Sequence, residues 1–372
     1  MNLTEINSAA DLNGKSVAFD LTVPATMKAA VMTEPFHISL VELPVPAVGP
    51  DEVLVKVMAV GVCGSDIHYY EHGRIGPYVV KKPIILGHEC AGIVVACGEK
   101  VSRFTPGDRV AIEPGVTCGR CDACRQGRYN LCPDVQFLAT PPVDGAFVQY
   151  IVHREDFLFP IPDHLSFEEA ALNEPFSVGI HALKRAGFQP GQDVAIIGMG
   201  PVGLMAVAAA KSFGAGRILV SDVEVNRLKA ATALGATDTI PAGEEASAEI
   251  IRLTGGIGVD VALETAGHPR ALKTALSSLK RGGKLSIVGL PPVDEVGVQV
   301  PFICDNEIDI YGIFRYANTY PQGIQFLSSG LVDIQTMITD RYPLEQTQQA
   351  MERARTNKAG SLKVMVYPNP TA

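Results

Sequence analysis

The sequence predicts an α/β plus β-rich chain: a compact β-rich domain followed by a doubly wound parallel sheet. Three observations carry this. A length of 372 residues favours two domains. The first half alternates short β-branched segments with Gly/Pro turns, and the second alternates strands with apolar helices. Between them a glycine fingerprint, Gly198-Met199-Gly200-Pro201-Val202-Gly203, follows a strand pattern and opens a helix.

The fold proper starts at the strand pattern of residues 27–32, so residues 1–26 read as an extension, a flexible arm outside it. Strand patterns follow at 52–57 and 91–95. The turn Thr105-Pro106-Gly107-Asp108 leads into another at 109–112. After residue 170 the texture changes. A buried strand at 193–197, an Ala-rich helix at 202–213 and strands at 217–222, 259–263 and 284–288 predict a parallel sheet with helices on both faces. Beyond Phe314 the alternation stops, leaving a helix pattern at 345–356 and a strand at 363–367.

Composition narrows the class. Hydrophobic residues make up 47% and charged residues 19%, the balance of a globular protein rather than a disordered one. The net charge of −9 comes without any basic block, which argues against a nucleic-acid partner. No apolar run is long enough to span a bilayer, and the N-terminus lacks the basic and apolar regions of a secretory signal. Eight cysteines are too few for a disulfide framework at this length, and five of them fall in two clusters, which predicts metal binding in a reducing cytoplasm.

The first cluster is Cys63 with His88 and Glu89, 25 and 26 residues later. A thiolate, an imidazole and a carboxylate are ligand types that zinc takes, and three protein ligands leave a fourth position for water or substrate, the mark of a catalytic site. Glu174 is a further candidate, as a ligand or as the holder of a zinc-bound water. Ser65 and His68 are candidates for passing a proton outward, Ser65 having the alternative of capping a helix. The second cluster, Cys118-x2-Cys121-x2-Cys124-x7-Cys132, puts four thiolates within 15 residues. Four sulfurs saturate tetrahedral zinc, so this one would be structural. In the fingerprint, Gly198, Gly200 and Gly203 permit a tight turn and close approach of a pyrophosphate to the helix N-terminus. Asp222 ends the next strand, 19 residues after Gly203, where a carboxylate bonds the ribose of NAD and repels the 2′-phosphate of NADP. Arg227 nearby is a candidate to lie against the adenosine, with partial preference for NADP as the alternative.

Gly87-His88-Glu89-x2-Gly92-x5-Gly98-x2-Val101 resembles the signature of zinc-containing alcohol dehydrogenases of the medium-chain dehydrogenase/reductase family, and the resemblance runs from residue 27 to 367. Within it the chain is most similar to sorbitol and xylitol dehydrogenases, through His68-Tyr69-Tyr70-Glu71-His72-Gly73, the stretch from Val135 to Gly145, and Phe314-Arg315-Tyr316-Ala317-Asn318. The resemblance implies a GroES-like catalytic domain split around a Rossmann domain. Its first part would cover 27–176 with a metal lobe at 115–135, the Rossmann domain 177–313, and the return segment 314–372. It implies a zinc- and NAD-dependent polyol dehydrogenase, cytoplasmic and homotetrameric. Tyr69, Phe137, Glu174, Arg315 and Tyr316 would contact substrate, and Val202, Asp222, Arg227, Val288, Leu290, Phe314 and Arg315 the cofactor. A related dehydrogenase of threonine, butanediol or a sugar acid is the alternative.

Overall fold

The computed structural model describes residues 9–10, 16–17, 20–356 and 360–369. The chain forms two compact units, Met1–Glu174 with Ile338–Ala372, and Pro175–Met337.

The first unit is built on a seven-stranded sheet. Its central strand, Glu52–Gly61, is buried almost without interruption from Val53, as a strand covered on both faces must be. Glu89–Cys97 and Tyr150–Arg154 pair with it antiparallel, and so does the C-terminal strand Lys363–Tyr367, with Met365 opposite Gly61. Leu344, Met351, Val364 and Val366 from the returning chain join Val53, Val55, Val57 and Phe147 in one core. The return is therefore fixed by burial and not only by strand pairing.

Two expectations change here. Residues 20–26 are part of the domain: Leu21 packs against this core, Lys56 donates to the Asp20 carbonyl at 3.1 Å, and Val45 N–H to the Ala25 carbonyl at 3.1 Å. Apart from the paired strands Ala9–Ala10 and Ser16–Val17, the rest of the expected arm lies outside the described residues. The return begins at Ile338, not at Phe314. The reason is the helix Tyr320–Ser328. It follows the last strand of the second unit and still packs on that unit, with the Phe326 ring edge-on to Phe176 at 6.4 Å and to Phe213 at 5.4 Å.

The second unit holds a six-stranded parallel sheet. Its order is Asp238–Pro241, Ile218–Asp222, Val194–Ile197, Val259–Glu264, Leu279–Ile287, Asp309–Gly312. The chain runs outward in one direction from Val194–Ile197 and then in the other, so the order reverses there. That switch point is where open α/β sheets bind ligands, beyond the carboxyl ends of the strands.

Candidate active site

Three residues from separate segments meet in the first unit. Cys63 caps the helix Gly64–His72, and Asp66 in its first turn accepts the Cys63 N–H at 2.9 Å. The cap thus rests on Asp66, and Ser65 has no capping role. The other Asp66 oxygen accepts Gly87 N–H at 2.9 Å and lies 3.7 Å from His88 Nδ1. One fully buried carboxylate therefore ties together the Cys63 and His88 segments. Gly87 has φ of 87° and sits against Val60 and Phe147, a place no side chain fits. Glu89 opens its strand directly opposite Gly61, where a Cβ would run into the Glu89 carboxylate.

The ligand atoms of Cys63, His88 and Glu89 all lie within 4.8 Å of one another. Sulfur, nitrogen and oxygen donors at that spacing fit one zinc ion. Burial opposes a proton on His88, but Asp66 and Cys63 outweigh it and hold the imidazole well above its usual range. The Phe137 ring stands 5.6 Å from the His88 ring. Glu174 is buried and outside the tight triad, yet near enough that its charge raises both Cys90 and Lys363. Lys363 escaped the sequence reading. It is 1% exposed, its Nζ pairs with Glu89 Oε2 and donates to the Val62 carbonyl at 3.0 Å. Burial would push it down, but Glu89 and Cys63 raise it. A charged residue heading the apolar run Val364-Met365-Val366 was the available signal. Tyr69 is buried in the helix Gly64–His72, whereas His68 is exposed, with its ring 5.6 Å from His72.

Cys118, Cys121, Cys124 and Cys132 form the second group, also within 4.8 Å. Cys121 and Cys124 sulfurs are 3.4 Å apart, those of Cys118 and Cys132 3.6 Å. Backbone N–H groups of Arg120 and Cys121 lower the Cys118 thiol to about 6, while burial raises Cys132. A short helix, Asp122–Arg125, sets two of the four. The lobe is fastened by Tyr129, whose hydroxyl donates to Glu113 at 2.8 Å, and by Arg154, which donates to the Thr117 carbonyl at 3.1 Å. Glu113 and His153 were also not anticipated. Both are buried, and His153 Nε2 meets the Glu113 carbonyl at 2.8 Å.

In the second unit the fingerprint opens the helix Pro201–Ser212. Gly198 has φ of 102°, and a Cβ on Gly203 would strike the Gly198 carbonyl at 1.8 Å. Gly200 differs: a Cβ there would meet nothing within 4 Å, so the protein itself does not need that glycine. Space kept clear at a helix N-terminus fits a pyrophosphate. Asp222 accepts Met199 N–H at 2.5 Å and Glu224 N–H at 2.8 Å, with Arg227 4.0 Å away, so it secures the turn from below. Thr265 Oγ1 secures it from the other side, donating to the Gly198 carbonyl at 2.6 Å. Val202 is partly buried at the start of this helix, Val288 partly buried after its strand, and Leu290 82% exposed, its backbone packed against Gly267. Arg315 and Asn318 both hold positive φ, 52° and 57°, around the buried Tyr316, and the Arg315 guanidinium lies over the half-exposed Phe314 ring. Two non-glycine residues in that region within four positions mark a segment held under strain.

Comparison with known proteins gives this arrangement a class. Residues 49–163 match the alcohol dehydrogenase GroES-like domain, and residues 201–329 the zinc-binding dehydrogenase domain. The protein is an oxidoreductase that uses zinc and a nicotinamide cofactor on a small-molecule substrate. The chain belongs to the zinc-containing medium-chain dehydrogenase/reductase family. It is 67% identical to a sorbitol dehydrogenase of Bacillus subtilis (strain 168) over 349 residues, 94% of this chain and 99% of that one. It is 43% identical to a sorbitol dehydrogenase of Mus musculus, over 91% of this chain and 95% of that one. Among solved structures, a 2R,3R-butanediol dehydrogenase from Bacillus subtilis matches with TM-score 0.84 at 31% identity, over 92% of this chain and all of that one. A zinc-binding dehydrogenase from Sinorhizobium meliloti bound to NADP matches with TM-score 0.83 at 31% identity, over 93% of this chain and all of that one. Among the described residues no helix is long and apolar enough to cross a membrane.

Proposed function

We propose that the protein oxidises a polyol, sorbitol or xylitol, reversibly to the 2-ketose, with NAD as hydride acceptor. The observation that carries the reading is the triad of partly buried Cys63 with buried His88 and Glu89, with a second buried carboxylate, Glu174, close by. In this reading the triad holds the catalytic zinc and the four cysteines a structural one. Bound zinc supplies Lewis acidity to a substrate hydroxyl, and bound NAD takes the hydride. The chain's own groups do the rest. Asp66 orients His88 and the Cys63 amide. Glu174 would bind the metal or hold a water beside it, and the proton would leave either by way of Glu174 or through Ser65 and the exposed His68. Tyr69, Phe137, Arg315 and Tyr316 are assigned to the substrate. Fingerprint residues Gly198, Gly200, Val202 and Gly203, with Val288, Leu290 and Phe314, are assigned to the dinucleotide. Asp222 favours NAD, since the 2′-phosphate of NADP would meet a buried carboxylate.

A pocket made to hydrogen-bond several hydroxyls leaves buried polar groups unpaired when a simple alcohol binds, and so rejects it strongly. The test is NADH production with sorbitol, xylitol, L-idonate, threonine, butanediol and ethanol, with NAD or NADP, before and after chelation. Turnover of polyols with NAD, lost on chelation, is expected. Efficient ethanol or threonine turnover would sink the polyol assignment and leave the family untouched. The same reading makes the enzyme a cytoplasmic homotetramer, which light scattering in solution would test through its mass.

A further inference from the structure

We propose that Lys363 is a positioning residue for the metal centre: it holds one oxygen of Glu89, so that this ligand offers the metal only the other. The proposal rests on the reading that Cys63, His88 and Glu89 bind zinc. Lys363 and Glu89 are each 1% exposed, and the pair joins Lys363 Nζ to Glu89 Oε2. The molecule is built around the contact. Gly61 lies beside both groups, and a Cβ there would fall 2.0 Å from Glu89 Oε2 and 3.0 Å from Lys363 Cε. Strand register delivers the lysine, because Lys363–Tyr367 runs antiparallel beside the end of Glu52–Gly61. The Val62 carbonyl, one residue before Cys63, accepts an Nζ proton at 3.0 Å and so anchors the ammonium group beside Glu89.

Such a pair is a poor device for stability alone. Two desolvated charges cost several kcal/mol each, and a well-packed apolar pair of similar volume is often as stable or more so. Its value lies in the coordination number. A carboxylate can bind a metal through one oxygen or both. With Cys63 and His88 giving one donor each, a one-oxygen Glu89 makes three protein donors and leaves the fourth tetrahedral position to substrate. A two-oxygen Glu89 would fill it. An ammonium group in contact with Oε2 keeps that oxygen from the metal.

The experiment replaces zinc by cobalt in the full-length protein and compares Lys363→Met, Lys363→Arg and the wild type. The spectrum of Cys63→Ser, in which only the four-cysteine lobe contributes, is subtracted from each. Four-coordinate cobalt absorbs strongly in the visible and five-coordinate cobalt weakly. Lys363→Met is expected to lose much of the visible intensity at the Cys63 centre. Its metal should leave to a chelator no faster than in wild type, and kcat should fall roughly tenfold or more, the range for residues that orient ligands. Lys363→Arg should restore the spectrum. An unchanged spectrum in Lys363→Met overturns the proposal. So does simple loss of metal with lowered Tm and no rescue by Arg, because that is the behaviour of a packing residue. X-ray absorption on the wild type needs no variant: one Glu89 oxygen at bonding distance is expected, and two would overturn it. If wild type shows no signal beyond that of Cys63→Ser, the metal-site reading itself falls, and the proposal with it.

Discussion

The two ligand clusters of the first unit are assembled in opposite ways. The Cys118–Cys132 group is local, its donors 14 residues apart at most and three of its four cysteines partly exposed. The Cys63–His88–Glu89 group is drawn from the end of one strand, a loop and the start of another, and two of its three members are buried. A loop can shape the first by itself. The second exists only when Glu52–Gly61, Glu89–Cys97 and Lys363–Tyr367 are in register. One cluster can therefore be lost without the other, and the sharpest tests exploit that independence.

The largest effect is expected from His88→Ala. Loss of a ligand at the distributed cluster removes Lewis acidity worth several kcal/mol, so kcat/KM should fall by about three orders of magnitude. Metal analysis should still find one equivalent per chain, held by the four cysteines. Loss of both equivalents would show that the clusters are not independent.

Cys124→Ser should do the reverse. A structural metal binds the folded state and stabilises it, so its loss should lower Tm by roughly 5–10 °C. Activity per folded molecule at low temperature should stay within a few-fold of wild type. A thousandfold loss there would mean that the lobe shapes the catalytic centre directly.

Legibility followed the same division. The local cluster could be read whole from spacing, as could the fingerprint, because their geometry lies within one turn or loop. The candidate ligands of the distributed cluster were visible from residue type, but the residues that hold them in place were not. Asp66 looks in sequence like an ordinary helix-start residue, and only the fold shows its two oxygens on Cys63 and Gly87. Lys363 lies 274 residues from Glu89 (363 − 89), a pairing that no local pattern encodes. The return boundary was misplaced for a similar reason. Alternation of strand and helix ends near Phe314, but the helix Tyr320–Ser328 still buries its aromatic face on the second unit.

Asp66→Asn probes the distributed cluster more gently. The amide keeps the shape but loses the charge beside His88 and one of the two acceptors for Cys63 and Gly87 N–H, so metal affinity at that cluster should weaken by about 10- to 100-fold. The four-cysteine lobe should hold its metal unchanged. Chelator competition would resolve the two, and equal weakening at both would count against the independence argued above.

The smallest effect is expected where the lobe joins the sheet. Burial raises Glu113 from 4.5 to about 7, against the lowering effect of the Tyr129 hydroxyl. Burial depresses the neighbouring His153 from 6.5 to about 4. The signs are opposite. Between 4.5 and about 7 the folded protein keeps a Glu113 proton that the unfolded chain has released, so this group's contribution to stability falls as pH rises. Between about 4 and 6.5 the unfolded chain binds a His153 proton that the folded protein refuses, so that contribution rises with pH. From 4.5 to 6.5 the two offset each other. Glu113→Gln keeps an acceptor for Tyr129 and removes one side of the balance. Relative to wild type, its unfolding free energy should increase by about 3 kcal/mol between pH 4.5 and 8, read from denaturant melts. Metal content at both clusters should be unchanged. A difference that stays flat with pH would mean that Glu113 is ionised throughout, and that its bond to Tyr129 is an ordinary tether between lobe and sheet.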